Sequence, residues 1–201
     1  MTADDPMKGV TNTYRLETKR LRLEVPTIDD AGDLYRLAGG KDRSEITAGL
    51  IWDGPEDVSE TEGFIEQSRT KPYDDFGFHW VIRDAAGTIA TAAGAPIGMI
   101  SARPSGEPGR GDVGYWLGKA YWDQGIMGEA LRSVLHLCFG DLAMVKIEAE
   151  IFTTNTRSIR LVERIGMKLE GTVRSAHLKR GQWVDAHIYG ILRDEWAGFH
   201  D

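Results

Sequence analysis

Between Asp112 and Gly166 the apolar period runs from two to 3.6, back to two and again to 3.6, and few folds accommodate that order. Asp112 to Gly118, DVGYWLG, reads as a strand. From Ile126 the apolar positions Ala130, Leu131, Val134, Leu135 and Cys138 recur at three and four, which predicts a helix to about Gly140. Val145 to Ile151 alternates as a strand, and Thr153-Thr154-Asn155 then caps a helix carrying Ile159, Val162 and Ile165 that ends at Gly166. Two glycines, Gly125 and Gly128, stand at the start of the first helix, where glycine is costly. They fit either a tight strand-to-helix turn or an anion resting on bare N–H groups at the positive end of the helix dipole.

Upstream, RLRLEV (Arg20 to Val25) alternates as a strand, and Pro26-Thr27 stops it and caps a helix from about Ile28 to Ala38. A second helix is expected from Pro55, at its first turn, to about Arg69. Phe76 to Arg83 and Pro96 to Arg103 read as antiparallel strands joined by a long, mobile connection, DAAGTIATAAGA. Lys168 to Leu192 splits at Arg180-Gly181 into a closing hairpin. At 201 residues one domain is expected, spanning 15–196 after a flexible leader at 1–14.

A net charge of −7 argues against nucleic acid as partner, because a phosphate backbone demands a basic surface. The first residues lack a secretory pattern and no segment is apolar enough to span a bilayer, so a cytoplasmic protein with no membrane partner is expected. The five histidines have no metal-ligand spacing, and none of the chemistry below requires a metal. Cys138 lies on an apolar helical face and reads as packing.

The segments DVGYWLGKAYWDQGIMGEAL and KIEAEIFTTNTRSIRLVERIGMKLEGTVR resemble the GNAT superfamily of N-acetyltransferases, particularly its ribosomal-protein N-terminal acetyltransferase-like branch. The resemblance covers residues 20 to 192 and is most specific between 112 and 171. It implies an α+β fold, a mixed, mostly antiparallel central sheet of six to seven strands flanked by about four helices. It implies acetyl-CoA as co-substrate and a primary amine as acceptor, on a protein N-terminus or a small molecule, attacking directly in a ternary complex. An N-succinyltransferase and a non-catalytic acyl-CoA sensor remain alternatives, and family sheet edges that pair leave a homodimer open.

By the same resemblance, Gln124, Gly125, Ile126, Met127, Gly128 and Glu129 hold the pyrophosphate through backbone N–H groups. Tyr115, Trp116 and Leu117 offer backbone groups to pantetheine and the acetyl carbonyl, and Asn155 binds the pantetheine amides while capping its helix. Val162 stands where many members carry a tyrosine acid, so the resemblance passes that role to Ser158, which also borders the cofactor. Asp112 matches the branch's acidic base, although it could equally solvate its turn or pair with Arg110. Such a base matters: at pH 7 only about 0.04% of a lysine-type amine is neutral, against roughly 10–15% of an α-amine. Arg160 could reach a phosphate or pair with Glu163 or Glu150, while Glu148 and Glu150 could relay a proton or simply face solvent.

Overall fold

The run Phe78-His79-Trp80-Val81-Ile82 is apolar at nearly every position, and such a strand is stable only when both faces are covered. The computed structural model, which describes residues 7–90 and 92–199, covers them with helices. The strands are β1 (Leu16–Glu17), β2 (Leu21–Glu24), β3 (Phe78–Asp84), β4 (Pro96–Pro104), β5 (Arg110–Leu117), β6 (Lys146–Phe152), β7 (Lys168–Lys179) and β8 (Gln182–Leu192). They form one eight-stranded sheet in the order β1-β2-β3-β4-β5-β6-β8-β7. Every neighbouring pair is antiparallel except β5 with β6.

The helices are α1 (Ala31–Ala38), α2 (Arg43–Ile46), α3 (Val58–Thr70), α4 (Tyr73–Phe76), α5 (Ile126–Phe139) and α6 (Thr156–Ile165). On one face of the sheet Phe78, Trp80 and Ile82 join Leu131, Leu135 and Cys138 of α5 in the main core. On the other, Val81 and Met99 meet Ala31 and Leu34 of α1 and Ile65 of α3. Cys138 is fully buried, and burial pushes its thiol up to about 12, so it packs and does not react. Among the described residues no helix is long and apolar enough to cross a membrane.

The sheet has more strands than the six to seven expected, and α2 and α4 exceed the expected four helices. These additions are two to four residues long, too short to express a period. α3 starts at Val58 and not at Pro55, because Asp57 takes the cap, accepting from the Ser59 and Glu60 N–H groups at 2.8 and 3.1 Å.

In place of a free leader, residues 7–14 lie against the sheet, while 1–6 fall outside the described residues. Met7 is buried, Asn12 donates to His79 O at 3.0 Å, and Tyr73 N donates to Val10 O at 2.7 Å. The β3–β4 connection, expected to be mobile, is organised by one carboxylate. Asp84 Oδ1 accepts from Ala86 N and Gly87 N at 3.3 and 3.0 Å, and Oδ2 from Ile89 N and Ala90 N at 2.6 and 2.7 Å. Burial would raise the pKa of Asp84, but these donors outweigh it and hold the group below its ordinary value.

Asp84→Asn should therefore cost about 1.5–3 kcal/mol, the range for hydrogen bonds to charged groups, read as a lower urea midpoint. A depressed folded pKa stabilises above the unfolded value of about 3.9 and is lost as pH falls through the folded pKa. The stability curves of the two proteins should accordingly converge in acid.

Candidate active site

The site begins where β5 leaves β6. Their parallel pairing covers three rows only, Arg110, Gly111 and Asp112 against Lys146, Ile147 and Glu148. Beyond that, β5 keeps its partner β4 as far as Leu117, and β6 keeps β8 as far as Phe152. The two strands diverge, and the edge of β5 from Val113 onward is released from the sheet on that side.

Each diverging strand leads into a helix, so the N-termini of α5 and α6 border the same opening. A cleft of ≈ 840 Å³ occupies it, lined by Gly125, Ile126, Met127 and Gly128 from one helix start and by Thr154, Asn155 and Ser158 from the other. Gly125 takes a left-handed φ of 72°, the conformation that aims the following N–H groups outward at least cost. The first of them with a partner within the turn is Glu129 N, donating to Gly125 O at 3.2 Å. Those ahead of it are the unpaired donors of a helix start.

Two anchors hold this turn. The Trp122 indole donates to Leu117 O at 2.9 Å. Glu129 accepts from Arg20 Nε at 2.7 Å and Arg20 N at 2.9 Å and from the Thr18 hydroxyl, while Arg20 Nη1 donates to Gln124 O at 3.1 Å. Gln124 and Glu129 thus brace the turn from behind and stand outside the cleft lining, whereas the other four residues of the expected loop line it.

Arg157, Arg160 and Arg164 of α6 also line the cleft. Arg157 lies 4.3 Å over the Trp122 ring and bonds Asp123 at 3.1 Å. Arg160 makes no ion pair among the described residues, since Glu150 is taken by His177 and Glu163 by the Tyr189 hydroxyl. A cationic rim therefore surrounds two helix N-termini on an otherwise acidic protein.

A second cavity, of ≈ 340 Å³, lies on the other side of β5 and shares Gly49, Leu50, Tyr115 and Trp116 with the first. Asp112 lines only this smaller cavity and Ser158 only the larger, so the two residues flank the shared wall. Leu117 lines only the larger cleft. Asp112 is pushed up by burial, opposed by the charge and hydrogen bond of Arg103, and raised further by Glu148 and Glu150. Its partner is Arg103, directly across the β4–β5 ladder; Arg110 bonds Glu148 at 2.8 Å instead.

The Tyr115 hydroxyl, in the shared wall, is buried and makes no hydrogen bond of normal geometry among the described residues. Burial pushes it up to about 12, and Ser158 is near enough to act against that rise. Sequence reasoning used only the backbone of this residue.

Over the shared wall lies segment 44–53, tied down from three sides. Asn155 Nδ2 donates to Gly49 O at 3.3 Å, while its Oδ1 accepts from Ser158 N at 3.2 Å as the helix cap. The tip of the β7–β8 hairpin adds Lys179 Nζ to Trp52 O at 2.9 Å and Arg180 Nη2 to Ser44 O and Thr47 Oγ1 at 3.1 and 2.7 Å. Lys119, beside the glycine turn, bonds Glu45 at 2.6 Å.

Comparison with known proteins agrees with this geometry. The family model for the acetyltransferase (GNAT) domain matches residues 20–168. An uncharacterized N-acetyltransferase, p20, of Bacillus licheniformis is 33% identical over 185 residues, 91% of this chain and 98% of that protein. The chain therefore belongs to the GNAT acetyltransferase family. Among solved structures, the Microcin C7 self immunity acetyltransferase MccE, in complex with acetyl-CoA and AMP, superimposes with a TM-score of 0.75 at 22% identity, covering 87% of this chain and 93% of MccE. The ribosomal-protein-S5-alanine acetyltransferase of Vibrio fischeri gives 0.71 at 19% identity, covering 91% and 98%. Both share the fold.

Gly49 is where the covering segment meets Asn155, and a Cβ there would collide with the Asn155 amide. Gly49→Ala should break that bond and raise backbone hydrogen exchange across 44–53 by about tenfold or more, while α5 stays protected. Unchanged exchange across 44–53 would show that Asn155 does not hold the segment.

Proposed function

We propose that this enzyme transfers the acetyl group of acetyl-CoA to a primary amine by direct attack in a ternary complex. The observation that carries the reading is the meeting of two unlike cavities at one wall where β5 and β6 part. One has anion-binding backbone and a cationic rim, and the other has carboxylates. A thioester entering from the larger side and an amine entering from the smaller side would meet beside Tyr115 and Trp116.

Each step has a residue suited to it. The N–H groups from Gly125 to Gly128 suit a pyrophosphate, and Arg160 and Arg164 suit a further phosphate of the same molecule. The released edge of β5 supplies backbone groups for the pantetheine amides and for the oxyanion that grows on the carbonyl. Asn155 can join them while keeping both bonds, since its amide retains a second N–H and a second lone pair. Burial makes Asp112 a stronger base than an exposed aspartate; Arg103 bonds its Oδ2, which leaves Oδ1 to accept a proton. Ser158, on the thioester side of the wall, suits delivery of a proton to the departing sulfur.

Ser158→Ala should lower turnover by about 10²-fold, the lower end for general acid catalysis, and leave acetyl-CoA affinity unmoved. Steady-state rates beside a calorimetric titration test both halves. Nearly full turnover in this variant, with a large loss in Tyr115→Phe, would move the acid role to the tyrosine.

At Gly125 a Cβ would make only ordinary contact with the Arg20 guanidinium, at 3.7 Å, so the harm of a valine comes from the left-handed backbone that a β-branched residue resists. Gly125→Val should weaken acetyl-CoA binding at least about tenfold, through the helix-start donors it misdirects. Unchanged affinity in a folded variant would remove the turn from the cofactor site.

A further inference from the structure

The smaller cavity has a composition that selects among amines. Apolar side chains form most of its wall, and Trp52 and Trp116 stand as a tilted pair with ring centroids 6.1 Å apart. Trp52 is 43% and Ile51 57% exposed, so the free protein leaves uncovered the apolar surface that an occupant's body would cover.

Charge on the wall is one-sided. Glu60, Asp112 and Glu150 face a single guanidinium, Arg103, which is already bonded to Asp112. His79 adds no charge at neutral pH: burial lowers it to about 4, and its Nε2–H donates to Phe76 O at 3.0 Å. Glu150 Oε1 takes His177 Nε2 at 2.8 Å, and its other oxygen is unbonded among the described residues. An ammonium is welcome here, and a carboxylate finds no unpaired cation. The buried Tyr115 hydroxyl supplies a neutral polar group in the wall shared with the thioester side.

We infer that the acceptor is a small apolar primary amine, aromatic or bulky aliphatic, with no carboxylate beside the nitrogen. The inference rests on the acetyl transfer proposed above. The body lies against Trp52 and Trp116, and the nitrogen sits between the carboxylates and the shared wall. An ammonium first gives one proton to Glu150 or Asp112. The freed lone pair forms the N–C bond to the acetyl carbon, and the C–S bond breaks with its electron pair on sulfur. The nitrogen sheds its second proton and the thiolate gains one, leaving an amide and a free thiol. A free amino acid would place its carboxylate among three acids in a partly dry cavity, where like charges are poorly screened.

The test uses the whole protein with acetyl-CoA and phenethylamine, phenylalanine, spermidine and a peptide beginning with Phe, following thiol release. Phenethylamine should exceed phenylalanine in kcat/KM by at least about 10²-fold. Phenylalanine has the less basic amine of the two, so neutral fraction cannot produce that preference. Trp52→Ala should raise KM for phenethylamine by about tenfold without moving acetyl-CoA affinity, because Trp52 lines only the smaller cavity. Equal use of phenylalanine, a preference for spermidine or the peptide, or acetyl-CoA binding with no turnover of phenethylamine would each overturn the assignment. Failure to bind acetyl-CoA in calorimetry would instead defeat the proposed function, and this inference with it.

Discussion

The site depends on one interruption: the parallel ladder between β5 and β6 stops after Asp112 and Glu148. Backbone groups cannot be buried without partners, so a strand edge released inside a protein needs something to bind it. Had the ladder run on to Leu117, the wall shared by the two cavities would be an ordinary sheet interior. The interruption also sends the two strands into helices whose N-termini border one cleft. Donors from a strand edge and from the α5 start thus accumulate in one place beside the capped start of α6, and the arginines of α6 add formal charge to them.

The two carboxylates of this row are set apart by the partners the sheet gives them. Glu148 is enclosed by Lys146, Arg110 and Ser105, and although burial would raise its pKa, these contacts hold it below the ordinary range. Asp112, one strand away in the same row, has a single arginine and is pushed the other way by burial. Glu148 is thereby fixed as a structural anion, while burial leaves Asp112 a higher proton affinity than an ordinary aspartate.

What was legible in the sequence was local. The alternation of β5 and β6, the three-four spacing of α5 and the glycines at its start each express themselves within a dozen residues, and all lie where expected. The covering segment was not legible, because α2 is one turn long and its restraints come from far along the chain. Asn155 bonds Gly49 across 106 residues, and Lys179 and Arg180 reach it across 127 to 136. Nor could sequence choose the partner of Asp112. Arg110 lies two residues away on the same strand face, but Arg103 stands directly opposite once β4 and β5 are in register. The ordering of the β3–β4 connection was equally hidden, since Asp84 looks like any strand-end carboxylate until its loop closes around it.

Beside side-chain bonds to Thr47, Glu45 and Asp53, a set of bonds that fasten the covering segment has a common character. Asn155, Lys179, Arg180 and Arg43 reach the carbonyls of Gly49, Trp52, Ser44, Asp53 and Gly54, atoms every residue type possesses. Such moorings are largely indifferent to the side chains between them. Ile51 and Trp52, which line only the smaller cavity, can therefore be exchanged over evolutionary time while the roof stays in place. A descendant could change its diet of amines by rewriting two adjacent codons, leaving the machinery that handles the thioester untouched.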